Sequence, residues 1–404
     1  MDEGTRNSAG MSEAIGDTLH ERMRGWIRGA IEALLQEEVE AMLQVARYAR
    51  EAEGQRRGYR HASRPRGLAT SVGSTPVTVP RARLFNDAGA PAVEWQSTLL
   101  PRYQRRTRAI DESLLGAYLA GANTRRIRGA LAPLLKEAPL SKSAISRVLR
   151  SLREGFESWR QRSLADEQIV YVLLDAIAVK VRVDRRVTCV PVLVAMGVRE
   201  TGDKVLLGLR LMGAESKAAW TTFVDDLAAR GVTRPALVII DGNAGLRHAV
   251  GQTWPGAAVQ RCVVHKLRNL AAHAPKRCLD ELRGDFHAIT TADDGRHARL
   301  AYQRFLRIWR VKAESVARSL EEAGEELLTF YRFPPSQWKS LRTTNAIERL
   351  HEEFRRRVKT QAAQPHEQTV LRLFFGLYTS GQIKLRKIDG WVDLPQVLAR
   401  RPAA

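Results

Sequence analysis

Residues 167–175 read EQIVYVLLD, and residues 235–241 read PALVIID. Each is a short run of Val, Ile and Leu, the composition of a strand buried on both faces, and each closes on an aspartate. The expectation is that both strands end at the acid, so that Asp175 and Asp241 stand at the rim of one sheet. A third acid, Glu348, lies in RTTNAIERLHEEF (residues 342–354), a strongly helical segment with Thr343 or Thr344 as its N-cap. Carboxylates suit Mg²⁺, a hard ion that takes oxygen ligands and retains waters. Two such ions about 3.5–4 Å apart activate a water or a 3′-hydroxyl and stabilise the leaving oxygen of an in-line attack on phosphate. Taken singly, each acid has a plainer reading: Asp241 as a helix cap before GNAGL, Glu348 as a surface helix residue.

Working outward, RRVTCVPVLVAMGV (185–198) and DKVLLGLRLMG (203–213) read as two further strands joined by the turn-like RETGD. ESKAAWTTFVDDLAARG is an amphipathic helix stopped by Gly231. NAGLRHAVGQTWP is a short helix, AAVQRC a strand, and VVHKLRNLAAH a helix. The order β-β-β-α-β-α-β is that of the ribonuclease H-like fold. In that order the first strand carries Asp175, the fourth carries Asp241, and the two can be sheet neighbours. Residues 275–340 are helical and charged and separate Asp241 from Glu348 by 348 − 241 = 107 positions. A plain core of this kind needs far fewer, so an all-helical insertion is expected. The tail GLYTSGQIKLRKIDGW (376–391) has no clear pattern.

Upstream, Ile15, Leu19, Met23, Ile27, Ile31, Leu35 and Val39 recur at helical spacing across residues 11–52. The stripe either packs on a core or pairs with a second subunit. Residues 55–108 hold eleven arginines against Asp87 and Glu94. They look extended, with a hairpin turn at Gly73-Ser74 or Ser74-Thr75. Basic extended segments track phosphates; Arg56, Arg57 and Arg60 are candidate contacts, and a solvated basic linker is the alternative. Residues 109–162 read as three helices. The third begins near Ser141 or Ser143 and carries Lys142, Ser143, Ser146 and Arg147 on one side. A short turn before it makes a helix-turn-helix reading of DNA possible, against a plain helical bundle.

The chain thus divides into a helical dimerisation or DNA-binding region (1–54), a basic extended segment (55–108) and a helix-turn-helix-like domain (109–165). A core follows in two parts (166–274 and 341–404) around the insertion (275–340). The fold class is α/β, preceded by a mainly α-helical region.

With 65 basic against 44 acidic residues, the net charge is +21. A polyanionic partner, double-stranded DNA above all, is the expectation. Three cysteines are too few for a disulfide framework and fit a reducing compartment. The N-terminal stretch has no signal-peptide layout and no apolar run reaches membrane-span length, so a cytoplasmic protein with no membrane association is expected.

QRCVVHKLRN places Cys262 and His265 on one helical face. Zinc shared with His273 and Cys278 is one reading. Support of the acidic site, with His265 donating to a carboxylate or phosphate, is another, and a buried core histidine is the third. Arg261, Lys266 and Arg268 add charge where DNA would pass. Around Glu348 stand Asn345, Arg349, Arg355, Arg356 and Arg357, suited to gripping a strand near its scissile phosphate, or forming a solvated face.

These blocks together resemble the Mutator-type transposases of bacterial insertion sequences. The resemblance runs from about Met11 to Trp391. It is carried by RRGYRHASRPRGL, GVRETGDKVLLGLRLMGAES, IIDGNAGLRHAV, WPGAAVQRCVVHKLRNL and FPPSQWKSLRTTNAIERLHEEFRRRVKTQ. It implies that Asp175, Asp241 and Glu348 are a catalytic triad for two Mg²⁺ or Mn²⁺ ions, and that Cys262 and His265 belong to a cysteine/histidine signature. It further implies binding of terminal inverted repeats and target DNA by a homodimer or larger synaptic complex on the bacterial nucleoid, with strand cleavage and transfer of the 3′-hydroxyl. Ala178 stands where relatives often carry an aromatic, and TQAAQPHEQT (360–369) departs from a more usual apolar stretch. The alternatives are a structure-specific nuclease of the same core, or a domesticated DNA-binding regulator.

Overall fold

The computed structural model describes residues 4–44, 57–86, 90–120, 127, 142–183, 186–359 and 367–400. It is a mixed α/β chain of two compact units, Met1–Ser151 and Leu152–Ala404.

In the first unit, α1 (Gly4–Leu43) is a single 40-residue helix. β1 (Gly58–Thr70) and β2 (Gly73–Phe85) form an antiparallel hairpin, joined at its edge by the short β3 (Pro91–Glu94). One face of the hairpin packs on the second half of α1, where Leu35 meets Leu68, Val77 and Leu100, and Val39 and Leu43 meet Ala82 and Trp95. Leu19 and Met23, on the first half of α1, and Trp26, just past its middle, are exposed. Among the described residues the apolar stripe packs on this core from Ile31 onward.

The hairpin turn is Ser71-Val72, not the Gly73-Ser74 or Ser74-Thr75 pair expected from glycine content. Gly73 and Ser74 already pair with Thr70 and Ala69. Thr70 supplies what the turn needs: its Oγ1 donates to Gly73 O at 3.0 Å and accepts from Val72 N at 3.3 Å, while Gly73 takes the positive φ of +104°. Next comes α2 (Arg108–Leu119), and then α3 (Lys142–Gln161), which begins in this unit and ends in the second. The helix expected over 123–137 lies outside the described residues except for Ile127, so the helix-turn-helix reading touches described structure only at its flanks.

The second unit is built on a five-stranded sheet in the order β6-β5-β4-β7-β8. β4 (Ile169–Val183), β5 (Arg186–Arg199) and β6 (Lys204–Leu211) are antiparallel, and β7 (Leu237–Ile240) and β8 (Ala258–Arg261) run parallel to β4. Two helices cover one face: α4 (Lys217–Ala229), capped by the Ser216 side chain, and α5 (Ala244–Thr253), capped by Asn243. Trp220, Phe223 and Val224 of α4 and Leu246 and Val250 of α5 pack there on Val172, Leu174, Val238 and Ile240.

One strand differs from its sequence reading. β4 does not end at Asp175. It runs eight residues further, paired with β5 to its last residue, because Ile177, Val179 and Val181 continue the alternation and are buried. Asp175 still stands at a rim, because the neighbouring β7 stops one register position earlier, at Ile240.

From Val263 to Leu341 every regular element is helical. These are α6 (Val263–His273), α7 (Leu279–Thr290), α8 (Gly295–Lys312), α9 (Glu314–Ala323), several 3-10 turns and the four-residue α10 (Trp338–Leu341). They share a core of Leu282, Phe286, Phe305, Trp309 and Leu320. The chain then returns to the sheet through α11 (Asn345–Lys359), α12 (Glu367–Thr379) and, after the tail, α13 (Leu394–Ala399). Phe354 of α11 and Phe374 of α12 stack at 3.9 Å between ring centroids.

Candidate active site

Leu174 pairs with Ile240 as the last register step between β4 and β7. Asp175, still within β4, and Asp241, the first residue past β7, are therefore the next residues side by side. Asp241 opens a tight turn: its Oδ1 accepts from Asn243 N at 2.9 Å, and Gly242 between them takes φ +119°. A Cβ on Gly242 would sit 2.6 Å from Arg261 Nη2, so the turn needs glycine for both conformation and space. Asn243, not Asp241, caps the following helix.

Asp175 is buried. Burial first, and then the Asp241 charge, push its carboxyl up to about 7. Its Oδ1 accepts from Ala176 N at 2.8 Å, and its Oδ2 lies 3.5 Å from Nδ1 of His351. His351 is itself buried, and burial pulls its imidazole down to about 3, so it stays neutral. Sequence reasoning passed over His351. The available signal was its position three residues after Glu348, one helical turn along α11.

Glu348 is held by other partners. His265 Nε2 lies 3.3 Å from its Oε1, and Arg268 Nη1 lies 3.5 Å from the same atom. Thr344, just before α11, accepts the Glu348 amide on its carbonyl. Its side chain turns away from the cap role expected of it: Oγ1 donates to Cys262 Sγ at 3.3 Å, and Thr344 N reaches the same sulfur at 3.4 Å. Burial pushes the Cys262 thiol up, but hydrogen bonds with His265 and Thr344 outweigh it and hold it below the usual thiol range. The contact with Cys262, more than the nearby acids, lifts His265 to about 9, so it is an imidazolium at neutral pH. Cys262 and His265 thus latch the N-terminus of α11 and orient Glu348.

Among the described residues, no group of three His, Cys, Asp or Glu side chains is arranged to hold one metal ion. What stands ready is the Asp175–Asp241 pair, two oxygen donors whose mutual repulsion a divalent cation would relieve, with Glu348 engaged by His265 and Arg268 beside it.

The other sequence-predicted residues scatter. Arg261 and Lys266 do not face outward as expected. Both are buried and converge on Glu322 of α9: Arg261 Nη2 at 2.8 Å and Lys266 Nζ at 2.7 Å. A buried cation without an acid is too costly to keep, and Glu322, absent from the sequence reading, supplies one. Arg60 is ion-paired with Glu40 of α1 at 3.2 Å. Arg356 and Arg357 are drawn onto Glu353, one turn back on the same helix. Arg57, Ser146, Arg147, Arg268, Asn345, Arg349 and Arg355 are exposed. Arg56 lies outside the described residues, as do the side chains of Lys142 and Ser143.

Two neighbouring strand-borne aspartates, a helix-borne glutamate and a cysteine–histidine latch define an acidic site on an α/β sheet. The description "Transposase, Mutator family" matches residues 3–383. The chain is 35% identical over 404 residues to the transposase for insertion sequence element ISRM5 of Rhizobium meliloti, covering 97% of this chain and 98% of that protein. It is 33% identical over 385 residues to the transposase for IS1081 of Mycobacterium tuberculosis, with 95% and 88% covered. It is 30% identical over 342 residues to the transposase for IS256 in transposon Tn4001 of Staphylococcus aureus, with 84% and 83% covered. The chain belongs to the Mutator family of transposases. Among the described residues no helix is long and apolar enough to cross a membrane.

Proposed function

We propose that this chain binds the terminal inverted repeats of its insertion sequence and catalyses metal-dependent strand cleavage followed by strand transfer of the 3′-hydroxyl. The observation that carries the reading is the register of β4 and β7, which sets Asp175 beside Asp241. The strand order, three antiparallel strands followed by two parallel ones, supports a ribonuclease H-like core, and the run of helices before α11 supports an all-helical insertion in it.

Asp175, Asp241 and Glu348 would hold Mg²⁺ or Mn²⁺. Two such ions, when bound, generate the nucleophile and stabilise the leaving oxygen. The chain's own residues do the positioning. His351 and the Ala176 amide hold the Asp175 carboxylate, and the turn amide of Asn243 holds Asp241. The His265 imidazolium draws Glu348 into place beside the acids. Arg268, Arg349 and Arg355, exposed around the acids, would grip the strand by its phosphates. Water and then a DNA 3′-hydroxyl serve as nucleophiles, so no protein–DNA bond forms. A homodimer or larger assembly would bring two ends to a target, in the bacterial cytoplasm where its DNA lies.

A Mg²⁺-dependent joining assay with end oligonucleotides and a target plasmid tests this. Joined product is the expected outcome. Cleavage without joining would mark a nuclease, and binding without either a regulator. Arg147→Ala should weaken binding to the ends more than to random DNA if α3 reads bases; equal losses would make it a phosphate contact.

A further inference from the structure

Beside the acids, on the same face of the sheet, lies a cavity of about 260 Å³. Its apolar floor includes Leu173 and Ile239. Each stands two residues before an aspartate of the pair, about 7 Å along a strand. Alternation puts Leu173 and Asp175 on one face. Lys339, Arg349, Lys384 and Arg386 stand around the mouth, on α10, on α11 and on the tail after α12. All four are exposed, and no carboxylate pairs with any of them among the described residues. Asp389, the acid in the lining, accepts from Ser340 Oγ at 2.9 Å.

The tail is fixed over this cavity by backbone bonds. Lys204 Nζ donates to the carbonyls of Arg386 and Lys387 at 2.8 and 3.3 Å, and Ile388 N donates to Gly202 O at 3.0 Å. Lys384 and Arg386 of the tail are thereby set on the same cavity as Lys339 and Arg349. Burial holds the Lys204 ammonium below its usual range, and Arg349 adds to this against the opposing pull of Asp389. Positive charge is in excess here, and an anion would relieve it.

We propose that this cavity is a subsite for the DNA strand next to the scissile phosphate: a backbone phosphate on Lys339, Arg349, Lys384 and Arg386, and its nucleoside on the apolar floor. The proposal rests on the transposase reading above and names where the cut strand continues. A bare phosphate would leave the floor bare, and an acidic peptide would have no reason to lie within two residues of the catalytic acids. A nucleotide uses both the cationic rim and the apolar base.

Lysine acetylation of the full chain, read by mass spectrometry without divalent metal, tests it. End DNA should lower the reactivity of Lys339 and Lys384 by at least about fivefold and leave exposed Lys276 unchanged. Protection by end DNA, but not by thymidine 5′-monophosphate or inorganic phosphate at equal phosphate concentration, supports a strand subsite. Equal protection by inorganic phosphate overturns it in favour of a free-anion site, and equal protection by thymidine 5′-monophosphate alone overturns it in favour of a free-nucleotide site. Unchanged reactivity with every probe overturns it outright. A single uncharged methylphosphonate beside the scissile position should weaken wild-type binding about tenfold, yet add nothing to the loss already present in Lys384→Gln/Arg386→Gln. An equal penalty in both proteins overturns the assignment. None of these readouts needs cutting: protection without cleavage removes the catalytic reading alone, and cleavage without protection removes the subsite alone.

Discussion

The two sheets of this protein begin alike and are used in opposite ways. Each opens with a long antiparallel hairpin, β1–β2 of 13 residues a strand and β4–β5 of 15 and 14. β2 mixes buried and exposed positions: Val77 and Ala82 are buried, Arg81 and Arg83 exposed. One face packs on α1 and the other is left to arginines, which share Glu94 as counter-charge. β4 is buried on both faces from Ile169 to Leu174. A carboxylate in such a strand finds little water, and Asp175 is held there against its desolvation cost. A charge on the open sheet says little about the fold and much about partners. A charge in the closed sheet is either matched by a distant partner, as Arg261 is by Glu322, or held at a rim, as Asp175 is.

The largest effect should come from the closed sheet. Asp175→Asn should lower cleavage and joining by on the order of 10³-fold or more while end binding persists. Retained strand transfer would remove the acid from the site. The same change should stabilise the metal-free protein. The folded carboxyl sits at about 7 against an ordinary 3.8, so the native state binds the proton more tightly than the unfolded chain does. The cost of the charge is therefore full above pH 7 and fades as pH falls toward 4. Calorimetry should show the variant ahead by a few kcal/mol at about pH 8 and by much less at about pH 5. Parallel curves would mean that Asp175 is better solvated than its burial indicates.

Next in size is Glu322→Ala, which strands Arg261 and Lys266 in the same unit. Denaturant titration should record a loss of about 2–3 kcal/mol, less than for a fully buried pair because Glu322 is half exposed. A smaller loss, about 1–2 kcal/mol, is expected in the open-sheet unit from Glu38→Ala. The Glu38 carboxylate accepts from the amides of Thr98 and Leu99 and the hydroxyls of Ser97 and Thr98. Two unfolding transitions, each moved by only one of these variants, would sharpen the contrast. Smallest of all, Arg81→Ala should change stability by no more than about 0.5 kcal/mol but reduce the salt slope of DNA binding by about one. A stability loss larger than its effect on DNA would break the contrast.

The closed sheet was readable in the sequence because burial on both faces demands continuous apolar runs, so EQIVYVLLD and PALVIID stood out with their acids. What escaped was governed by distant partners. The extension of β4 was written in the alternation of Ile177, Val179 and Val181, and the acid at 175 drew attention away from it. The Ser71-Val72 turn has no glycine inside it; the Thr70 hydroxyl does that work. Arg261 and Lys266 carry the same charge in a list whether they meet DNA or Glu322, and no local pattern announces an acid 56 to 61 positions later. His351 showed only its position one turn after Glu348; its partner, Asp175, is on another element.

That separation has a consequence in time. A ribosome releases the chain from its N-terminus, so the first unit, with its arginine-bearing hairpin, emerges whole before the second is half made. Asp175 and Asp241 follow, but Glu348, His351 and the Thr344 latch onto Cys262 appear only in the last sixth of the chain. During synthesis the protein passes through a stage with the exposed arginines of its first hairpin in place and its acidic site incomplete. On the function proposed above, a protein made in this order meets DNA before its acidic site is complete.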